Sequence, residues 1–415
     1  PLHYPLLYLG DLLAGGARNG PRVIPVVSGL VAGVSTWGIA ERLGCSRSRA
    51  LLAGLIVVTT GSMLWATGPA SGDGPAAALA VAALWAAVCT NERPGMAALS
   101  GLLFGASLAT KPLAFAAAVP IAWYLGVRRR RIMPAAIAAA SAIAVWFVSA
   151  IPWGLHRVWD QSIAFHLHKS WDGSPLVQFA EVGRWLAERD VLLVGLLVLA
   201  AIAGLRHTVS RRESHADLVV VLIWTGLTIL TLGLEKLLLR THLAVLVPAL
   251  ALLVALRPPP RRWLVPALVV LVPLQLVQVS GIAIPSGYAG PDRALMHALR
   301  TVPSDAHLIS DVQGFVWQSG HITPRLLNDN SYARIQGGLL TTPMLAQGAA
   351  QPQTCGVIIW SFRFDRKLPG LREALTAAHY TPRVFAPGHE LWLKDPSVDP
   401  ICRAGGAGAS GRSRG

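Results

Sequence analysis

Ionisable side chains in this 415-residue chain stand mainly at the ends of long apolar runs. Because a charge is costly inside a bilayer, each must be paired, reach water or serve a function. Asp73 lies in a short polar loop, residues 68–75, just before an apolar run. As the first residue of a helix it could cap the helix N-terminus. It could equally orient a substrate hydroxyl or hold a divalent metal ion, and the sequence leaves these roles open.

Lys111 stands at a break between two short apolar runs and is followed by Pro112. The break would bring the cation to the membrane surface. Lys111 is then either a lysine whose long side chain reaches out of the bilayer or a receptor for a lipid phosphate. Its position favours neither role over the other.

Two further groups of polar residues are predicted on the same side of the membrane. The segment 159–169 has the spacing of an amphipathic helix lying along the bilayer, either as a plain interfacial helix or as an anion-binding element. Its candidate ligands are Asp160, Gln161, His166 and Lys169. The second group is Lys236, Arg240 and His242. Cations on the outer side run against the positive-inside tendency, and a negatively charged lipid head group would explain them.

The composition indicates that a membrane protein positions these residues. The chain is 53% hydrophobic and only 14% charged, with a formal net charge of +15. This excludes an ordinary soluble protein and a disordered one. The excess positive charge is Arg at the ends of apolar runs, which is typical of cytoplasmic loops and argues against nucleic-acid binding.

Ten apolar segments predict a mainly α-helical, polytopic membrane bundle. They are residues 23–40, 50–66, 75–90, 96–110, 112–126, 132–152, 191–206, 216–234, 241–256 and 263–284. Arginines mark alternate loops, so one threading through all ten places residues 1–22, 67–74, 153–190, 235–240 and everything after 285 outside the cytoplasmic membrane.

The composition changes after Pro285, where short apolar runs, at 307–311 and 357–360, lie between helical patterns, at 291–301 and 369–378. We expect residues 1–285 to form the membrane domain, 286–396 a small extracytoplasmic α/β domain and 397–415 a disordered tail. None of the four cysteines, Cys45, Cys89, Cys355 and Cys402, has zinc-ligand spacing. Cys355 and Cys402 could form a disulfide in an oxidising compartment or remain two thiols.

Several stretches, taken in order, resemble segments of one family. His3 to Tyr8 is similar to its His-Pro-Pro-Leu-Tyr element, with Tyr4 replacing the first proline, and Thr241 stands where the family has the first of two histidines. The other matching stretches are the loop with Asp73, Gly101 to Lys111, Trp159 to His166, Arg240 to Leu243 with Pro248, Ser310-Asp311, Asn328 to Ser331 with Arg334, and Trp360 to Phe364. The chain thus resembles the multi-spanning, C-type glycosyltransferases of family 39 that use polyprenyl-phosphate sugars, close to protein mannosyltransferases and lipid A aminoarabinose transferases.

The resemblance implies an inverting transfer of a hexose or pentose from a polyprenyl-phosphate donor to a lipid, cell-envelope glycan or protein acceptor on the outer face. It implies substrate-binding roles for His3, Lys111, Asp160, Gln161, His166, Lys169, Arg240 and His242. The family's catalytic aspartate falls ahead of Pro1, so we expect an N-terminally truncated chain in which Asp73 has a supporting role, with a divalent metal ion as a possible cofactor. The alternative is a transporter or flippase for a lipid-linked anion, but the two halves show no convincing internal repeat.

Overall fold

A computed structural model describes residues 2–16, 19–90, 95–160, 164, 174–206, 212–283 and 290–403. The described residues form two compact units, one containing residues up to 283 and the other residues 290–403.

The first unit is helical. Its helices are α1 His3–Leu13, α2 Val23–Arg42, α3 Arg47–Thr59, α4 Gly61–Thr67, α5 Asp73–Cys89, α6 Gly95–Thr110, α7 Ala118–Ala122, α8 Ile132–Ala150, α9 Leu155–Trp159, α10 Pro175–Arg189, α11 Val191–Arg206, α12 Arg212–Gly233, α13 Val247–Leu256 and α14 Arg261–Ala283. Short 3-10 turns at Gly20–Arg22, Pro112–Ala117, Ile151–Trp153 and Arg240–Val245, and a π-helical turn at Trp123–Val127, connect some of them.

Each of the ten predicted apolar segments corresponds to an apolar helix or a broken pair of helices. Among the described residues, 4 helices are long and apolar enough to cross a membrane, namely Gly20–Arg42, Ile132–Trp153, His215–Gly233 and Arg261–Ser280. The pair α3 and α4, bent by 55°, is either a broken span or a re-entrant loop. The remaining apolar helices have 10–17 residues. These helices are shorter than the about 20 residues that a straight span needs. The predicted helical membrane fold is confirmed.

Small residues let the central helices pack closely. The hydroxyl groups of Ser100 and Ser107 on α6 donate to the carbonyl oxygens of Ala83 and Ala76 on α5, at 2.8 and 2.7 Å. On another face of α6, Gly101 and Gly105 lie against the backbone of α8, where a Cβ atom would overlap carbonyl oxygens. Such small-residue contacts are typical of membrane helix pairs. They fix where the end of α6, and Lys111 after it, lies relative to α5.

The second unit is a four-stranded sheet with helices. Its elements are α15 Gly290–Leu299, β1 His307–Ser310, α16 Gln313–Gln318, α17 Tyr332–Gln336, α18 Thr342–Ala350, β2 Thr354–Ile359, α19 Phe362–Lys367, α20 Leu371–Ala377, β3 Tyr380–Ala386 and β4 His389–Lys394. The strand order is β1-β2-β4-β3, with β1 parallel to β2 and the other pairs antiparallel.

The predicted short strands near 307–311 and 357–360, and the predicted helices near 291–301 and 369–378, correspond to β1, β2, α15 and α20. The entire strand β2 is buried, between two hydrophobic clusters. Cys355 on β2 forms a disulfide with Cys402, with 5.2 Å between the Cα atoms, which decides between the two alternatives that the sequence left open. Cys402 lies in the 3-10 turn Pro400–Cys402, so the ordered chain extends past residue 396 into the segment predicted as a disordered tail.

Candidate functional site

Three side chains from separate elements meet at one end of α5 and α6. The Lys111 ammonium group donates a hydrogen bond to Oδ1 of Asp73. Lys111 Nζ also lies 2.9 Å from Nε2 of His242, and that nitrogen is 3.9 Å from Oδ1 of Asp73. The Asp73 and His242 side chains are only 6% and 5% exposed, and that of Lys111 is 29% exposed. We call Asp73, Lys111 and His242 the polar triad.

Local sequence places each member of the triad at a helix break. Pro112 disfavours helical backbone at the preceding residue, and Lys111 is extended, with φ −158° and ψ 125°. The helix therefore ends at Thr110, and the lysine side chain leaves at the break. Asp73 is the first residue of α5 rather than the residue that caps it, which is Gly72. Its carboxylate binds Lys111, so it does not serve as the cap.

His3 lies beside the triad. A Cβ atom on Gly72 would lie 3.0 Å from Nδ1 of His3, so the imidazole packs against the residue that precedes Asp73. The backbone N–H of Leu2 donates to the carbonyl oxygen of Ala109 at 3.0 Å, which anchors the start of α1 at the end of α6. His3, predicted to bind substrate, is thus close to the triad.

The other predicted ligands lie elsewhere or outside the described residues. Arg240 shares a 3-10 turn with His242, but its guanidinium is 5.6 Å from the ring centroid of Trp185 on α10. Asp160 Oδ2 lies 2.6 Å from Nδ1 of the exposed His156. Gln161, His166 and Lys169 fall outside the described residues.

Comparison with known proteins is informative for solved structures. No protein-family model matches the chain, and no curated protein matches it. Among solved structures, it is similar to the crystal structure of ArnT from Cupriavidus metallidurans in the apo state, with a TM-score of 0.61 and 13% identity over 96% of this chain and 88% of that chain. The chain has the fold of ArnT. At this level of identity the likeness concerns the fold alone.

Sequence reasoning missed two polar residues that hold the helix breaks together. The buried Asp190 carboxylate, between α10 and α11, accepts from the hydroxyl group of Ser62 and from its backbone N–H at 3.1 Å, at the start of α4. Gln275 on α14 donates to the carbonyl oxygens of Thr59 and Arg189, at 3.1 and 2.9 Å, and accepts from the backbone N–H of Leu192 at 3.2 Å. A glutamine inside a mostly apolar helix was the signal available for Gln275.

Helix α10 was also missed. The amphipathic helix predicted at 159–169 falls mostly outside the described residues. The sequence did not predict the helix Pro175–Arg189 that follows it. The hydroxyl group of Ser174 accepts from the backbone N–H of Val177 at 3.4 Å, and Pro175 occupies the first helical position. This Ser-Pro pair is a recognisable helix start.

The triad does not fit a divalent metal ion. Asp73 is engaged by an ammonium group, which would repel a cation at the same oxygen. Among the described residues, no group of three or more His, Cys, Asp or Glu side chains could hold a metal ion. The geometry suits an anion better, since the ammonium group and the imidazole lie side by side.

The C-terminal segments with family resemblance also lie together. Asp311 follows β1 and accepts from the backbone N–H groups of Trp360 and Ser361, at 2.9 and 2.7 Å, and from the Ser361 hydroxyl at 2.7 Å. The Asn330 amide donates to the carbonyl oxygen of Ser310 at 2.8 Å. Burial raises the pKa of Asp311, although these hydrogen bonds oppose the shift. The network joins the ends of the two parallel strands.

Proposed function

We propose that this protein is a membrane glycosyltransferase that moves a sugar from a polyprenyl-phosphate donor to a lipid, glycan or protein acceptor on the outer face of the cytoplasmic membrane. The observation that carries the proposal is the polar triad, in which Lys111 and His242 lie side by side at the end of apolar helices. The ArnT fold and the order of the family-like segments support it.

Transfer of the sugar leaves negative charge on the departing lipid phosphate. Donors placed where charge develops lower the barrier, provided that their contacts strengthen in the transition state. The backbone N–H of Leu239 donates to Nδ1 of His242 at 3.3 Å. A neutral His242 would then carry its proton on Nε2, on the side of Lys111. Lys111 Nζ and His242 Nε2 would then both be donors, so neither could accept from the other, and a phosphate oxygen could accept from both.

Asp73 has a supporting role in this scheme. Its carboxylate is bound to Lys111 and is nearly enclosed, so it positions the cation and offsets its charge. His3 is close enough to help bind the donor. For Asp160, Gln161, His166, Lys169 and Arg240, substrate binding stays a prediction from the resemblance.

We further propose that residues 1–285 form the catalytic membrane domain and that the α/β domain, residues 286–396, lies outside the cytoplasm. The disulfide between Cys355 and Cys402 supports this placement, because disulfides persist in oxidising compartments. The acceptor could approach from that side.

The binding test uses the full-length gene product in lipid nanodiscs, with polyprenyl phosphate as the probe. Lys111→Ala and His242→Ala should each raise the Kd by about tenfold, the worth of a charge-assisted hydrogen bond. Lys367→Ala removes an exposed lysine of the second unit and should leave the Kd unchanged. Unchanged binding in both triad variants would contradict the proposed role of the triad.

A second assay distinguishes a transferase from a transporter. Vesicles containing the protein receive a polyprenyl-phosphate sugar labelled on the sugar, together with cell-envelope acceptors. A transferase moves the label onto an acceptor and releases polyprenyl phosphate. A flippase moves the intact labelled lipid between leaflets, and that outcome would overturn the transferase proposal.

A further inference from the structure

A second cluster of cations lies at the opposite end of α5 and α6 from the triad. It surrounds a cavity of about 830 Å³ whose lining includes Arg42, Arg128, Arg129 and Arg131. Val88 and Thr90, at the end of α5, and Ala97, near the start of α6, also line it. With 17 residues, α5 is about 26 Å long, so this arginine pocket is separate from the triad.

The backbone directs particular arginines into the pocket. The run Arg128 to Arg131 joins the turn Trp123–Val127 to α8, and Arg130 adopts a left-handed φ of 52°, which is uncommon for residues other than glycine. Arg128, Arg129 and Arg131 line the cavity, whereas Arg130 does not. Arg42 joins them from the end of α2, so two separate parts of the chain supply the cations.

Arg128 of the pocket has an acidic partner among the described residues. Asp217 on α12 accepts from Arg128 and, at 2.9 Å, from the Tyr124 hydroxyl. None of the described residues lining the cavity is acidic. Partial burial, and then the neighbouring charges of Arg128 and Arg131, lower the pKa of Arg129. An anion in the pocket would relieve this repulsion.

The remaining wall of the pocket is apolar. Met133, Pro134 and Ile137 at the start of α8 line it. Ile132 and Met133 are 84% and 69% exposed. Only 6% of the apolar window in Ile132–Trp153 is buried, which is typical of a helix that faces lipid. The pocket thus combines guanidinium groups with a wall continuous with a lipid-facing helix.

We propose that the arginine pocket binds a phosphate group through Arg129 and Arg131. Guanidinium groups match phosphate oxygens in geometry and charge. The apolar wall favours a phosphate carried by a membrane lipid over a free phosphate ion. Arginines at helix ends are common as topology signals, but convergence of several on one cavity goes beyond that tendency. The proposal does not depend on sugar transfer.

The test measures lipid binding to the purified, delipidated full chain by native mass spectrometry. Phosphatidylglycerol is the lipid probe, diacylglycerol is the phosphate-free lipid control, and inorganic phosphate is the soluble probe. Arg129→Gln/Arg131→Gln should weaken phosphatidylglycerol binding by about tenfold or more. The matched control Arg47→Gln/Arg49→Gln removes the same charge from exposed positions at the start of α3, and should leave binding unchanged.

The outcomes distinguish a lipid phosphate from free inorganic phosphate. They also distinguish binding at the pocket from a general effect of positive charge. If phosphatidylglycerol binds and inorganic phosphate does not displace it, the ligand is a lipid phosphate. If inorganic phosphate binds with the same sensitivity to the pocket variants, the site takes soluble phosphate. Equal losses in both double variants, or no binding of either probe, would overturn the proposal. Should the pocket double variant fail to fold, Arg131→Gln is compared with its neighbour Arg130→Gln, whose side chain does not line the cavity.

Discussion

Replacing Lys111 with methionine should destabilise the membrane unit by leaving the Asp73 carboxylate without its cation. The Asp73 side chain is only 6% exposed, so water cannot replace the lost partner. Removing one member of a buried ion pair costs about 3–5 kcal/mol. The Lys111 side chain is 29% exposed, and this partial hydration places the expected loss toward the lower end, at about 3 kcal/mol.

A second substitution shows whether the unpaired charge causes the loss. Asp73→Asn in the Lys111→Met background removes the carboxylate charge while keeping its shape. The double variant should be more stable than Lys111→Met alone, by about 2 kcal/mol, a coupling expected for side chains in direct contact. The order of stability is then wild type, double variant and Lys111→Met.

The assay combines unfolding and ligand binding on the same detergent-solubilised samples. Tryptophan fluorescence gives the unfolding midpoint, and titration with polyprenyl phosphate gives the Kd. If Lys111 acts only in stability, the double variant recovers both quantities. If Lys111 binds phosphate, stability recovers but the Kd stays high. A double variant no more stable than Lys111→Met would refute the ion-pair reasoning, and full recovery of binding would refute the phosphate role.

Three further predictions concern packing, the disulfide and pH. Gly101→Ala should cost about 1–3 kcal/mol by forcing α6 and α8 apart, whereas Gly95→Ala, with open space around it, should not lower the unfolding midpoint. Cys355→Ser should destabilise the second unit by about 2–4 kcal/mol, and a reducing agent should lower the wild-type unfolding midpoint but leave that of the variant unchanged. Burial lowers the pKa of His321 from 6.5, so its neutral form stabilises the fold above that pH, and this stability is lost as the pH falls toward the folded-state pKa. His321→Asn should remove that pH dependence, which the difference between wild-type and variant unfolding midpoints from pH 7.5 to 5 would measure; an unchanged difference contradicts it.

The fold could be predicted from the sequence because a bilayer imposes a simple rule. Every backbone polar group within it must be satisfied internally, so each long apolar run has to be helical. The α/β fold of the second unit could also be predicted, because short apolar strands and helical patterns alternate after residue 285. The hairpin of β3 and β4 was not predicted, because the strand β3 is mostly exposed and contains Pro382, a residue tolerated only at a sheet edge.

The site could be predicted only in part. Asp73, Lys111 and His242 were each found individually as polar residues at the ends of apolar runs, but their contacts depend on helix packing. Those contacts span 38 and 131 positions of the chain. Gly101 and Gly105 allow α6 to pack closely on α8, but the distance between these helices cannot be predicted from local sequence.

Some polar residues of the membrane unit bind backbone groups and others bind side chains. This difference distinguishes residues that stabilise the fold from residues that could bind a ligand. Asp190 and Gln275 direct hydrogen bonds to backbone groups exposed where helices break, so the fold alone accounts for them. Lys111 instead contacts the side chains of Asp73 and His242, and no backbone requirement explains that arrangement. Burying charged side chains is costly even when they are paired, so charges retained at membrane depth point to a function. The triad is therefore where substitution should affect ligand binding as well as folding.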